Sequence, residues 1–259
     1  MKQGILIVSF GTTYHETREK NIEKIAETVR DMFPDWDIYQ AYSSNTVRNI
    51  LKKRDQIHIP DIMEALKLMK EDGITHVVVL PTHIIDGIEN NRMKHLIKEG
   101  KSLFEEIKTA GVLLECEEDF KRTSKALWEE IKDIAGDSPV IFMGHGSAHE
   151  ADQSYEKLER ELRKYSNRQI FIATVEGADT IESVIERLNS SCIDRGRVLL
   201  LPFMLVAGDH ATNDMAGEED SFASLLIQEG YQPDCVLRGI GEYESIRDIY
   251  IQHLKEAMK

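Results

Sequence analysis

The stretch that decides the fold is Val140-Ile141-Phe142-Met143-Gly144-His145-Gly146-Ser147, a short apolar strand that ends in a glycine-rich turn. A similar stretch, Ile5-Leu6-Ile7-Val8-Ser9-Phe10-Gly11-Thr12, lies close to the N-terminus. In both, the strand is followed by an aromatic residue, a glycine and a hydroxyl-bearing residue, and then by a polar segment typical of a helix start. The sequence therefore contains the same strand-to-helix turn twice.

A second pair of matching positions follows in the same order. Pro81 and Gly87 in the first half correspond to Pro202 and Gly208 in the second, and both pairs are 121 positions apart. Two motifs in the same order favour duplication over a chance match. We expect two similar halves with a cleft between them, an N-terminal half at 1–137 and a C-terminal half at 138–259. The C-terminal helix could instead pack on the N-terminal half.

Apolar runs of strand length alternate with amphipathic segments of helix length. Apolar residues recur three and four positions apart in Glu19–Phe33, Asp61–Lys70 and Ser245–Met258, which predicts helices there. Strand followed by helix, repeated, predicts an α/β fold in which each half is a doubly wound parallel sheet with helices on both faces. The predicted strands are Gly4–Ser9, Asp37–Tyr42, His76–Pro81, Gly111–Glu115, Pro139–Gly144, Gln169–Ala173, Arg197–Pro202 and Asp234–Leu237.

The composition restricts the partners of the protein. The formal net charge of −14 argues against nucleic acid, because binding to phosphates needs a basic surface. No apolar run reaches the length of about 18 residues that would predict a membrane span, and no signal peptide is recognisable. Cys116, Cys192 and Cys235 form no Cys-x-x-Cys pair and are expected to be free thiols. We therefore expect a cytoplasmic protein.

Three polar residues stand where predicted strands of the second half end, and these are His145, Glu176 and His210. In parallel α/β sheets, ligands bind beyond the carboxyl ends of the strands, so these side chains should meet at one edge. Two imidazoles and a carboxylate suit a divalent metal such as Co²⁺, Ni²⁺, Fe²⁺ or Zn²⁺. The alternative for any one of them is a structural role, such as a strand-end histidine bonded to backbone.

His145 stands between two glycines, which allow a bulky ligand to approach closely. Because histidine titrates near physiological pH, His145 could act as a base as well as a ligand. The segment Leu205–Met215 changes abruptly from apolar to polar at Gly208. Within it, Asp209 could orient His210 or serve as the N-cap of the next helix.

These residues resemble a known family, the anaerobic cobalt chelatases of the CbiK type. The resemblance extends over essentially the whole chain and keeps the order of the motifs. The matching motifs are Val8-Ser9-Phe10-Gly11-Thr12-Thr13-Tyr14-His15, Phe142-Met143-Gly144-His145-Gly146, Val175-Glu176, Leu205-Val206-Ala207-Gly208-Asp209-His210 and Asn213-Asp214-Met215. The resemblance implies the class II chelatase fold of two doubly wound halves around a cleft.

The resemblance also implies an activity, the insertion of Co²⁺ into sirohydrochlorin during cobalamin synthesis. Its metal site falls on His145, Glu176 and His210, and its proposed proton acceptor falls on His145. The metal is then a substrate, and we expect no redox cofactor and, since there is no Walker A motif, no nucleotide. His149 is either an extra ligand or, as we favour, a surface histidine.

The first half offers residues for the tetrapyrrole. Glu89 stands 121 positions before His210 and could accept a pyrrole proton, although a glutamate favoured by the helix dipole is an equal alternative. Phe10, Gly11 and Thr12 should line the mouth of the first strand, where a flat macrocycle needs apolar contact and backbone N–H groups. We expect His83 to be buried and hydrogen-bonded.

Sirohydrochlorin carries many carboxylates, whereas the protein is acidic, so the positive charge must be local. The cluster Arg92-Met93-Lys94-His95 follows Glu89, and Arg92 is predicted to bind substrate carboxylates. For the earlier cluster, 48–54, we favour a solvated helix face.

Several alternatives remain open at the level of sequence. A sister chelatase could insert Fe²⁺ or Ni²⁺ into the same or a related tetrapyrrole, because imidazole and carboxylate bind several metals. A non-catalytic carrier of metal or tetrapyrrole would share the fold. A hydrolase is disfavoured, because the chain has no Gly-x-Ser-x-Gly elbow. A homo-oligomer is compatible with the sequence, which does not fix the oligomeric state.

Overall fold

The computed structural model describes residues 2–146, 150–191 and 195–259. The chain divides into two compact units, one formed by Met1–Glu115 with Ile246–Lys259 and the other by Cys116–Ser245. Within the described residues, no helix combines the length and the apolar character that crossing a membrane requires.

The first unit contains a four-stranded parallel sheet. Its strands are β1 (Gln3–Ser9), β2 (Asp37–Tyr42), β3 (His76–Pro81) and β4 (Glu106–Thr109), in the order β2-β1-β3-β4. The strand connections contain α1 (His15–Arg18), α2 (Lys24–Met32), α3 (Asn45–Ile50), α4 (Ile62–Glu71) and α5 (Ile88–Gly100), with π-helical turns at Glu19–Glu23 and Leu51–Asp55 and a 3₁₀ turn at Lys101–Leu103. This is the parallel α/β architecture that the alternation of strands and helices predicts.

Both faces of the first sheet are buried. Leu6 and Val8 of β1 pack with Leu66 of α4 and Met93 of α5 in one core cluster. Ile5, one position along, points to the opposite face and is also fully buried. A sheet covered on both faces needs the near-continuous apolar strands seen in β1 and β3.

The second unit repeats this architecture. Its strands are β5 (Val140–Gly144), β6 (Ile170–Thr174), β7 (Arg197–Pro202) and β8 (Gln232–Cys235), in the order β6-β5-β7-β8 and again all parallel. The helices are α6 (Glu117–Ala135), α7 (Gln153–Ser166), α8 (Ile181–Ser190) and α9 (Phe222–Gln228), with 3₁₀ turns at Glu150–Asp152 and Ile240–Glu242 and a π-helical turn at Ala211–Met215. The last helix, α10 (Glu244–Ala257), leads back to the first unit, where the Tyr250 hydroxyl donates to the carbonyl of Thr82.

The two sheets match in register as well as in strand order. Pro81 pairs with Val8 in the first sheet, and Pro202 pairs with Met143 in the second. The glycine in each turn after the central strand has a positive φ, +99° at Gly11 and +82° at Gly146. The prediction of two similar doubly wound halves is therefore confirmed.

One predicted strand is wrong. The segment Gly111–Glu115 is not a strand, and β4 lies earlier, at Glu106–Thr109. Val112 and Leu113 are fully buried in the connection to α6, where the Leu113 amide donates to the carbonyl of His83. Because β4 is a charged strand at the edge of the sheet, its pattern is weaker than that of the buried connection after it. In the second sheet, the edge strand β8 ends at Cys235, two residues before the predicted end.

Candidate metal centre

The second unit brings together the three residues that the sequence singles out as metal ligands. The rings of His145 and His210 pack edge to face, with their centroids 4.8 Å apart. Nδ1 of His145 lies 3.8 Å from Oε2 of Glu176. Each residue follows the carboxyl end of a different strand of the second sheet, which is the edge where parallel α/β sheets bind ligands.

Backbone hydrogen bonds place His145 beside Glu176. The amide of Glu176 donates to the carbonyl of His145 at 2.9 Å, so that the pairing of β5 with β6 continues beyond both strands. Gly146 makes this turn possible, because a Cβ at that position would lie 2.3 Å from the amide nitrogen of Gly177. A larger residue would therefore separate the two loops that carry His145 and Glu176.

Tyr155 of α7 packs against the same turn. Its ring packs against Gly144, where a Cβ would lie 2.5 Å from the tyrosine ring. Burial raises the pKa of Tyr155 to about 12, and hydrogen bonds from the backbone of Gly146 and His145 partly oppose this shift. The neutral hydroxyl thus contacts the backbone on both sides of the His145–Gly146 peptide bond.

His210 is held by a carboxylate one turn further along its helical segment. Nδ1 of His210 lies 2.6 Å from Oδ2 of Asp214. A ring proton on Nδ1 shared with Asp214 leaves Nε2 with its lone pair free for a metal, an arrangement common around metal-bound histidines. His210 leads into the π-helical turn Ala211–Met215, and such turns are frequent at functional sites.

The sequence allows two roles for Asp209, orienting His210 or capping the helix, and the structure places Asp214 on the His210 ring. Asp209 accepts a hydrogen bond from the side chain of Asn213, and it is already helical, so it is not the N-cap. The signal in the sequence was the spacing of four between His210 and Asp214, which places two side chains on the same face of a helix.

The three candidate ligands are close together but do not form a closed site. Among the described residues, no group of three or more His, Cys, Asp and Glu side chains is positioned to hold a metal ion. The side chains of His145, Glu176 and His210 are 46%, 63% and 38% exposed. Since metal–donor distances are about 2.0–2.2 Å, the side chains must rotate to share one ion, and their exposure permits this.

The corresponding positions of the first unit do not repeat the two histidines of the candidate metal centre. Matched by register, His145 corresponds to Phe10 and His210 to Glu89. Phe10 is half-exposed and cannot bind a metal through its side chain. Glu89 lies in the first turn of α5 and accepts a hydrogen bond from the Ser43 hydroxyl at 3.3 Å.

The other predicted substrate-binding residues of the first unit differ in exposure. Thr12 is buried, and its hydroxyl accepts a hydrogen bond from the amide of Tyr14. Arg92 lies on α5 and is exposed. Both ring nitrogens of His83, which follows β3, are buried, but neither has a hydrogen-bond partner among the described residues, so the prediction of a hydrogen-bonded ring is wrong. Desolvation lowers the pKa of His83 to about 4 against the opposing effects of Asn90 and Asp86. His149 lies outside the described residues.

A duplicated α/β fold with two imidazoles and a carboxylate close together at one sheet edge fits the class of proteins that bind divalent metals. A family model for CbiK cobalt chelatases matches residues 3–259. The chain is 32% identical over 261 residues to a sirohydrochlorin cobaltochelatase of Salmonella typhimurium, which covers 100% of this chain and 97% of the relative. It is 33% identical over 270 residues to the sirohydrochlorin cobaltochelatase CbiKC of Nitratidesulfovibrio vulgaris, over 99% of this chain and 91% of the relative.

The chain therefore belongs to the CbiK cobalt chelatase family. It is a metal chelatase, and its metal substrate is a divalent ion such as cobalt. Solved structures agree on the fold. SirB from Bacillus subtilis with Fe³⁺ matches with a TM-score of 0.70 at 14% identity over 99% of this chain and 96% of its own. CbiX, a terminal enzyme for siroheme biosynthesis in denitrifying bacteria, matches with a TM-score of 0.61, also at 14% identity, over 99% of this chain and 100% of its own.

Proposed function

We propose that this protein inserts Co²⁺ into sirohydrochlorin without ATP, in a pathway to cobalamin that inserts cobalt early. The observation that carries the proposal is the convergence of His145, Glu176 and His210 at one edge of the second sheet. Family membership and two relatives named as sirohydrochlorin cobaltochelatases support the choice of metal and macrocycle. A cytoplasmic location and the absence of a nucleotide or redox cofactor stay predictions from the sequence.

In this proposal, the three side chains hold the incoming metal while it loses water. Two neutral imidazoles and one carboxylate leave the complex with a single positive charge, which favours release of the ion to the macrocycle. A borderline metal such as Co²⁺ accepts this mixed nitrogen and oxygen donor set. Asp214 fixes the ring orientation of His210, so that less rotamer freedom is lost when the metal binds.

Insertion also requires the removal of two pyrrole N–H protons, because the product holds Co²⁺ on two deprotonated nitrogens. We assign one proton to His145, whose ring becomes free to accept it once its lone pair leaves the metal. Glu89 is the second acceptor that we propose, and Phe10 with the Gly11 and Thr12 backbone provides contact for the flat ring. Arg92 provides positive charge for the carboxylates.

The test is a spectroscopic insertion assay with sirohydrochlorin and Co²⁺, Fe²⁺ or Ni²⁺. We expect the wild-type protein to accelerate insertion of Co²⁺ most, and His145→Ala to lose at least 100-fold in rate, in the range typical of a group that transfers protons. His58→Ala changes an exposed histidine elsewhere in the chain and should keep the wild-type rate.

The assay separates the alternatives. Faster insertion of Fe²⁺ or Ni²⁺ than of Co²⁺ would identify a sister chelatase. Binding of sirohydrochlorin without acceleration of any metal would identify a carrier. A fully active His145→Ala variant would remove His145 from the mechanism while leaving the reaction itself in place.

A further inference from the structure

The lining of a small cavity in the first unit contains more basic than acidic side chains, although the chain as a whole is acidic. It lies between the end of β2, α3, the start of α4 and α5. Its lining contains two arginines, Arg48 and Arg92, and one acid, Asp61, whereas the chain as a whole has a net charge of −14. The remaining lining residues are Tyr42, Ser43, Asn45, Ile62, Met63, Met93 and Leu96.

Arg92 is available to a ligand. Within the described part of the chain, no carboxylate pairs with its guanidinium, although Lys94 on the same helix is paired with Asp86 at 2.8 Å. An unpaired arginine beside a cavity presents five donors in a planar fork, which matches the two oxygens of a carboxylate.

Arg48 is the second cation, and it is only 16% exposed. One terminal nitrogen donates to the side chain of Asn45, but the buried Nε has no acceptor among the residues that the structure describes. A buried donor without a partner is costly, so an occupant that accepts from Nε would be stabilised.

The acids near Arg48 are already committed elsewhere. Asp61 and Glu64 form the capping box of α4, in which each carboxylate accepts from the other residue's backbone amide at 2.8 and 2.9 Å. Their distances to the Arg48 guanidinium are 3.6 and 3.9 Å, which is beyond hydrogen-bond length. Both acids lie within ion-pair distance of the terminal nitrogens of Arg48, and neither accepts a hydrogen bond from its Nε.

The size and lining of the cavity restrict the ligand. Its volume of about 190 Å³ is below the roughly 300–1,000 Å³ of pockets that enclose a whole drug-sized molecule. Ile62, Met63 and Leu96 provide apolar contact suited to methylene groups. Ser43, also in the lining, donates to Glu89, so the cavity is next to the proposed proton acceptor.

We infer that this cavity binds one carboxylate-bearing side chain of the tetrapyrrole substrate, with Arg92 and Nε of Arg48 as its donors. The inference rests on the proposed function, because it takes the substrate to be a polycarboxylated macrocycle. It revises the interpretation of Arg48 as part of a solvated helix face. The cavity then provides the local positive charge that a polyanionic substrate requires from an acidic protein.

The test measures binding of sirohydrochlorin without metal, by absorbance titration, so that it does not depend on turnover. Free sirohydrochlorin and its methyl ester are compared on wild type, Arg92→Gln and Arg48→Lys. Lys98→Gln is the matched control, because it removes one exposed positive charge from the same helix outside the cavity. We expect Arg92→Gln to weaken binding of the free acid about tenfold and to leave binding of the ester unchanged. Arg48→Lys should weaken binding of the free acid in the same direction, and Lys98→Gln should match wild type.

Three outcomes would overturn the inference. The first is wild-type affinity for the free acid in both arginine variants. The second is equal weakening of acid and ester, which would indicate a general packing role. The third concerns a different source of the carboxylate: if Arg92→Gln abolishes binding of succinate but not of sirohydrochlorin, the cavity serves a free carboxylate. By contrast, a wild-type protein that binds no sirohydrochlorin at all would contradict the proposed function as well.

Discussion

Nδ1 of His210 and Oδ2 of Asp214 are 2.6 Å apart, on successive turns of one helical segment. This contact fixes which ring nitrogen faces a metal. We predict that Asp214→Asn raises the KM for Co²⁺ about 10- to 100-fold, the range seen when a carboxylate behind a metal-bound histidine is lost. The KM for sirohydrochlorin should change little, and Glu218→Gln, which removes an exposed acid nearby, should affect neither constant. Equal effects on both substrates would indicate a distorted site rather than a misplaced ring.

Glu176 provides the oxygen donor of the proposed metal centre, and its exposure makes a second prediction possible. Because the pair with His145 is 3.8 Å long and solvent-exposed, it contributes at most about 1 kcal/mol to stability. Glu176→Gln should therefore keep the melting temperature within a few degrees and raise the KM for Co²⁺ at least tenfold. Glu186→Gln on α8 is the control, since it removes an exposed carboxylate away from the site. A wild-type KM in Glu176→Gln would exclude this residue as a ligand.

The tight turn after β1 is expected to tolerate no side chain at Gly11. Its φ is +99°, and a Cβ would lie 2.5 Å from the ring of Tyr42, which is fully buried. Gly73 has a similar φ of +80°, but no atom lies within 4 Å of its added Cβ. Gly73→Ala should cost about 1 kcal/mol from backbone strain alone, and Gly11→Ala about 2–4 kcal/mol because overpacking adds to the strain. Equal losses in thermal denaturation would show that the Tyr42 ring moves freely.

Much of this architecture could be predicted because it depends on local patterns that are repeated. The buried central strands β1 and β5 are short apolar runs, and each is followed two residues after its end by a glycine with positive φ. The offset between Pro81 and Pro202 reflects equal register in two sheets, so the duplication was visible without coordinates. The edge strand β4 has the mixed sequence Glu-Ile-Lys-Thr and carries no such pattern, so the apolar pattern predicts a strand in the buried connection that follows it.

The candidate site was predictable in its parts but not in its details. His145, Glu176 and His210 could be chosen because strand ends in a parallel sheet share one edge. That Asp214 lies beside the His210 ring depends on where the helix after Gly208 begins, and helix boundaries are poorly determined by sequence. The cavity beside Arg92 depended on the path of the chain around α4, which brings Arg48 from a separate cluster to the same place.

The buried ring of His83 should make the stability of the protein depend on pH. Burial lowers its pKa from 6.5 to about 4, against the smaller opposing effects of Asn90 and the negative charge of Asp86, which is itself paired with Lys94. Between these two pKa values, the unfolded chain binds a proton that the folded chain excludes. The contribution of the neutral ring to stability is therefore fully present above pH 6.5 and declines as the pH falls towards 4.

We predict that His83→Gln, which cannot take up a proton, loses less stability than wild type when the pH falls from 7 to 4.5. Between pH 7 and 4.5, the two losses of unfolding free energy should differ by on the order of 2 kcal/mol, since each unit of pKa shift corresponds to about 1.4 kcal/mol. Urea denaturation at a series of pH values measures it, and comparing slopes removes any packing loss that the substitution causes at neutral pH. His58→Gln changes an exposed histidine of the same unit and should keep the wild-type slope. Identical slopes for wild type and His83→Gln would mean that the ring is protonated in the folded protein with no penalty, so burial at this position would not exclude the charge.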